Sequence, residues 1–257
     1  MSVRVERKKH VTTIVLDRPE KRNAVDAEMA TRLLQPFQQF ETDEEQRVAV
    51  LYGENGVFCA GADLSVMGDP QRRVKVDAVG PNGGPMGPSR LEVSKPIIAA
   101  VSGYAVAGGL ELALLADLRI AEEGAIFGVF CRRWGVPLID GGTVRLPRVV
   151  GAGRAMDMIL TDRPVNATEA LTFGLANRVV PDGTARAEAE KLAAEIASFP
   201  QRCMRADRAS ALKQWGLSLE DALQNEGRVG SEIVAAEGVI GAAAFTSGKG
   251  RHGSFED

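Results

Sequence analysis

Apolar and polar residues alternate through SVRVERKKHVTTIVLDRP on either side of a charged centre, and this period of two predicts a pair of strands. The period then lengthens. DAEMATRLLQPFQQFE carries apolar residues at helical spacing, with Asp26 as its N-cap and Glu28 in an acidic first turn. RVAVLYG is a short continuous apolar run and predicts a buried strand, and ENGVFCAGADL predicts a turn entering another helix start. Residues 68–90 are rich in Gly and Pro and predict a long loop, the kind of segment that often serves as a lid or binding loop. KPIIAAVSGYA is expected to be one strand, GGLELALLAD a helix, and LRIAEEGAIFG a return to extended chain. After GVPLIDGGTVRLPRVVG the pattern is helical, in AGRAMDMILT, ATEALTFG, RAEAEKLAAEIASF, CMRADRASALKQWG, LEDALQNEGRVGSEIV and EGVIGAAAFTSG.

Strands alternating with helices predict an α/β fold with buried, crossover-connected sheets over residues 1–195, followed by a helical part over residues 196–257. No repeat occurs at solenoid periods. A formal net charge of −3 gives no basis for nucleic acid or an anionic membrane as partner. The opening MSVRVERKKH has no apolar run behind its charges and is not expected to act as a secretion signal. No apolar run reaches the ~20 residues of a membrane span. Cys59, Cys131 and Cys203 are widely spaced and odd in number, which suits a reducing cytoplasm without a disulfide framework.

Several familiar chemistries are excluded. GYAVAGGL approximates a phosphate loop, but Gly109 stands where the lysine belongs and Leu110 where the Ser/Thr belongs. G-x-G-x-x-G, G-x-S-x-G and H-E-x-x-H do not occur. The two histidines, His10 and His252, lie in a charged turn and in the tail, which argues against a Ser-His-Asp hydrolase or a histidine-rich metal site. What remains is a pair of small-residue turns, FCAGADL and GYAVAGGLE, the second opening a helix at Gly108. They are either two structural turns or, acting together, a pair of exposed backbone N–H donors aimed at negative charge on a carbonyl oxygen, with a helix dipole behind one of them. Glu111 lies three residues beyond Gly108, about one helical turn away. It is either a cap for the helix start or an acid/base group, its apolar neighbours Leu110, Leu112, Ala113 and Leu114 raising its pKa.

Taken in order, RPEKRNAVD, FCAGADL, GYAVAGGLELALLADLRIA, the Phe127-Gly128 pair and GGTVRLPRVVG resemble the crotonase superfamily of enoyl-CoA hydratases and isomerases, over nearly the whole chain. The resemblance implies a crotonase-like ββα spiral core, a C-terminal helical region that forms a homotrimer or a hexamer built as a dimer of trimers, and an acyl-CoA thioester as ligand. Coenzyme A is then part of the substrate, and no separate cofactor or metal is expected. The resemblance puts the oxyanion donors at the backbone N–H groups of Ala62 and Gly108 and one of two catalytic glutamates at Glu111. It puts adenine and pantetheine contacts at Ala24, Ala60, Asp63 and Leu64, and makes Lys21-Arg22 the candidates for the CoA phosphates.

One position departs from the family. The second hydratase glutamate falls on Cys131, and a thiol with an ordinary pKa of about 8.5 does not readily replace a carboxylate. Asp140 is a candidate substitute acid, but it stands one position after the aspartate that some superfamily isomerases and dehalogenases use, and pairing with Arg132 or Arg133 is the expected role for it. Trp134 is expected to pack. Two functions therefore stand side by side: an acyl-CoA hydratase/isomerase with Glu111 as acid/base, and an acyl-CoA-binding protein with weak or no hydratase turnover. A non-CoA interaction protein is a third reading.

Overall fold

The computed structural model describes residues 2–76 and 83–250; Asp77 to Asn82 of the long loop and His252 of the tail lie outside them. The chain divides into two compact units, Met1–Ala197 and Ser198–Asp257.

In the first unit β1 (Val3–Lys8) and β2 (Val11–Leu16) form the expected antiparallel hairpin. Strands β3 (Val48–Gly53), β4 (Ile97–Val101), β6 (Leu118–Glu122) and β9 (Arg178–Val180) join it in parallel, in the order β1-β2-β3-β4-β6-β9. The central strands are continuous apolar runs because both faces of the sheet are covered. Alternate residues serve the two sides. Ala49, Leu51, Ala99 and Val101 face one core with helix α1 (Ala27–Thr42) and helix α2 (Gly108–Leu115), while Val48, Val50, Ile98 and Ala100 face a second core with Ala185, Ala189, Leu192 and Ala193 of helix α6 (Ala185–Ser198). Asp26 caps α1 as expected, accepting from the Met29 N–H at 3.0 Å. Helices α4 (Ala152–Thr161) and α5 (Ala167–Phe173) follow the period read from the sequence, whereas α3 (Gly142–Val150) begins ahead of it, inside GGTVRLPRVVG.

The expectation of one strand over KPIIAAVSGYA is corrected. After β4 the chain breaks at Ser102-Gly103 and resumes as β5 (Tyr104–Val106), which pairs in a separate three-stranded sheet with β7 (Ile126–Gly128) and β8 (Val165–Asn166). Gly103 permits the switch: its φ is +53°, and a Cβ there would lie 2.2 Å from the Gly56 carbonyl oxygen. The helix start expected after FCAGADL is only a 3-10 turn, Leu64–Val66.

The second unit contains α7 (Gln201–Lys213), α8 (Leu219–Ile233) and α9 (Val239–Thr246). The sequence reading breaks the last two apart. A π-helical turn at Val234–Gly238 instead joins them into one 28-residue helix, Leu219–Thr246, whose most apolar stretch has a mean hydropathy of 1.3. By length and composition alone it could cross a membrane, and a single such helix is weak evidence for a span. Leu219, Val234, Ile240 and Phe245 are exposed along it.

Candidate active site

Residues of 60–67, 74–76, 106–111 and 130–140, with Met86, converge on one cavity of the first unit. Phe58 to Asp63 are threaded between their neighbours by backbone hydrogen bonds: Cys59 N–H donates to the Tyr104 carbonyl at 2.9 Å, Val25 N–H to the Gly61 carbonyl at 2.8 Å, and Asp63 N–H to the Val25 carbonyl at 2.9 Å. Asn23, fully buried, holds this arrangement from below with Nδ2 donating to the carbonyls of Glu54 and Val57. Arg18 pairs with both Asp26 and Asp63 at 3.1 Å. The two small-residue turns touch. Gly61 has φ +90°, and a Cβ on it would lie 2.9 Å from the Ala107 Cβ and 3.0 Å from the Gly108 nitrogen. Ala62 and Gly108 both line the cavity, and their amides donate to no group among the described residues. At Gly108 this is the ordinary state of a helix start, whose first N–H groups have no intrahelical acceptor.

Glu111 sits one turn along α2, 2% exposed. It does not cap its own helix, which corrects the capping alternative. Its Oε1 accepts from the amides of Asp140 and Gly142, each at 2.8 Å, so it sits at the N-terminus of α3 instead. Its Oε2 has no hydrogen bond among the described residues and is not sealed off, leaving it open to the cavity that Glu111 lines. Burial pushes the carboxyl from an ordinary 4.5 up to about 7; the nearby Asp140 carboxyl acts in the same direction and the two amides oppose it.

The cavity encloses about 490 Å³ and is mostly apolar, with Met67, Val74, Met86, Phe130 and Val136 among its walls. Trp134 is on its rim and 70% exposed, so the expectation that it packs is corrected. Cys131 lines the same cavity, and its thiol is pushed up to about 11 by burial and by the Glu111 charge. Asp140 is the larger surprise. It pairs with neither Arg132 nor Arg133: Arg133 pairs with Asp162, and Arg132 donates to the Ile159 carbonyl. The Asp140 side chain instead lines the cavity at 3% exposure, accepting on Oδ1 from the Met86 N–H at 2.9 Å and from the Ser89 hydroxyl.

Of the positions suggested for CoA, Ala60 and Leu64 lie in the cavity wall. Ala24 is buried and is not among the lining residues, and Asp63 turns its carboxylate to Arg18 and Ser65. Lys21 donates to the Ser65 hydroxyl at 3.0 Å, and Arg22 is exposed in a left-handed turn with φ 52°. Sequence reasoning did not select Met86, Ser89 or Phe130. The first two belong to the Gly/Pro-rich loop, where no periodicity marks the inward positions.

A profile of the family described as enoyl-CoA hydratase/isomerase matches residues 6–246. The chain is 37% identical over 201 residues to an enoyl-CoA hydratase of Mycobacterium tuberculosis, covering 76% of this chain and 74% of the relative. It is 36% identical over 221 residues to an (E)-benzylidenesuccinyl-CoA hydratase of Thauera aromatica, covering 86% of each chain. Among solved structures, an enoyl-CoA hydratase from Mycobacterium marinum superposes with a TM-score of 0.89 at 30% identity, over 96% of both chains.

Proposed function

The chain belongs to the enoyl-CoA hydratase/isomerase family of acyl-CoA-processing enzymes, and from that premise we propose that it polarises an acyl-CoA thioester between the Ala62 and Gly108 amides and moves a proton with Glu111. One observation carries this reading. Two adjoining N–H donors and a carboxyl oxygen, none with a partner among the described residues, share one cavity. A thioester oxygen held there gains negative charge when a Cα proton leaves, and fixed donors lower the barrier most where charge develops. Removing one such donor costs about 2.7–4 kcal/mol in a well-studied case. Glu111, poised near neutrality, can take the Cα proton of a 3-enoyl thioester, leaving a dienolate that accepts a proton at Cγ to complete isomerisation.

Hydration asks for a second group, to hold water or to protonate Cα. The state of Cys131 favours a second reading, an acyl-CoA-binding protein with weak or no hydratase turnover. Its thiol stays neutral at pH 7 and is a poor base there. The test joins binding and turnover. Acetyl-CoA at a hundredfold excess over Kd should stabilise the protein by about 2.7 kcal/mol, and a 3-enoyl-CoA should isomerise in a manner that Glu111→Gln abolishes. Binding without isomerisation or hydration selects the second reading. Absence of binding at millimolar acyl-CoA removes both.

A further inference from the structure

We propose that Asp140 is a second proton carrier of this site, working with Glu111 on the same acyl group; this rests on the thioester reading above. Its surroundings are those of a group held for use. Oδ1 is fixed by the Met86 amide and the Ser89 hydroxyl, and both residues are buried. Oδ2 has no partner among the described residues and is not sealed off, so it opens on the cavity. The nearby arginines bind main chain at this point: Arg90 donates to the Ile139 carbonyl and Arg145 to the Asp140 carbonyl, and the Asp140 side chain forms no ion pair among the described residues. The Asp140 amide donates to Glu111 Oε1, which ties the two carboxyl groups to one backbone turn. A carboxylate serving only to clamp the 83–90 loop has no need of a second oxygen facing a cavity, because an amide oxygen would accept the same two hydrogen bonds. Burial also pushes the Asp140 carboxyl upward, toward the protonated form.

The step balances without another reagent. With a 3-enoyl thioester, Glu111 as carboxylate takes one proton from Cα. The C–H electron pair enters the dienolate, whose oxygen charge is held by the Ala62 and Gly108 amides. Asp140 as carboxylic acid gives its proton to Cγ, a C–H bond forms there, and the double bond moves from Cβ–Cγ to Cα–Cβ. Glu111 is left protonated and Asp140 ionised, and cavity water carries the proton back.

Two probes separate this from the reading beneath it. Exchange of the Cα protons of butyryl-CoA in D2O, followed by NMR, needs only Glu111 and the two amides. Conversion of 3-hexenoyl-CoA to 2-hexenoyl-CoA needs delivery at Cγ. Asp140→Asn keeps an acceptor for Met86 and Ser89. It should slow isomerisation by about 10²–10⁴-fold and butyryl-CoA exchange far less. Ser89→Ala, which removes one clamp and keeps the carboxyl, should slow isomerisation far less. Native-rate isomerisation by Asp140→Asn, equal loss of both reactions, or equal losses in Asp140→Asn and Ser89→Ala would each overturn the proposal. A native protein that exchanges no Cα protons would overturn the thioester reading itself.

Discussion

Replacing Glu111 by Gln should abolish turnover and stabilise the fold, the second effect growing as pH rises above about 4.5 and levelling off past neutrality. The folded-state carboxyl titrates near 7 against an ordinary 4.5, chiefly because it is buried. Below pH 4.5 it is protonated in both the folded and unfolded chains and contributes no difference. As pH rises from there the unfolded chain ionises first, so the native fold loses stability until the folded carboxyl has also ionised. Across about 2.5 pH units, at about 1.36 kcal/mol each, the penalty reaches about 3 kcal/mol at pH 8. Gln has the same shape and its Oε1 can accept the Asp140 and Gly142 amides, which lie 2.8 Å from the native oxygen. Its amide nitrogen falls where Oε2 opens on the cavity and water can reach it. Urea unfolding of both proteins at pH 4 and pH 8 measures the difference directly. Near-equality at pH 4 and a more stable variant at pH 8 are expected. A stability difference that does not change with pH, or a less stable variant at pH 8, would refute the argument that burial raises this carboxyl.

Gly61→Ala should lower kcat by about 10²–10³-fold, as loss of an oxyanion donor does, because the new Cβ meets the Ala107 Cβ and the Gly108 nitrogen at 2.9 and 3.0 Å and forces the two turns apart; steady-state kinetics on a 3-enoyl-CoA checks it, and an unchanged kcat counts against the donor assignment. Cys131→Glu should raise crotonyl-CoA hydration by up to about 10²–10⁴-fold in a manner lost again with Glu111→Gln; a native protein that already hydrates rapidly and is indifferent to Cys131→Ala would remove the reason for expecting it. The exposed apolar residues of Leu219–Thr246 are expected to be covered by further copies of this chain in a trimer or hexamer, and light scattering at micromolar concentration that finds a monomer rejects this.

The elements of the fold are local consequences of the sequence. Asp26 caps α1 through a bond that spans three residues, and the alternation in β3 and β4 sorts their side chains between two cores. Gly108 and Glu111 are one helical turn apart in any helix that begins at Gly108, so that half of the site was legible too. The rest depends on contacts that no local period records. The break at Ser102-Gly103 is demanded by the Gly56 carbonyl, 47 residues away in the chain, which leaves no room for a Cβ. The continuity of Leu219–Thr246 turns on a single π turn that carries the helix through Gly238. For Asp140 the sequence offered Arg132 and Arg133, both a few residues earlier, and nearness in the chain made them the natural partners. Tertiary structure instead brings Met86 and Ser89, more than 50 residues distant, onto one oxygen and leaves the other facing the cavity. A charged side chain's partner is set by which groups share its desolvated space, and in this protein the Gly/Pro-rich loop brings them there through residues that follow no helical or strand period.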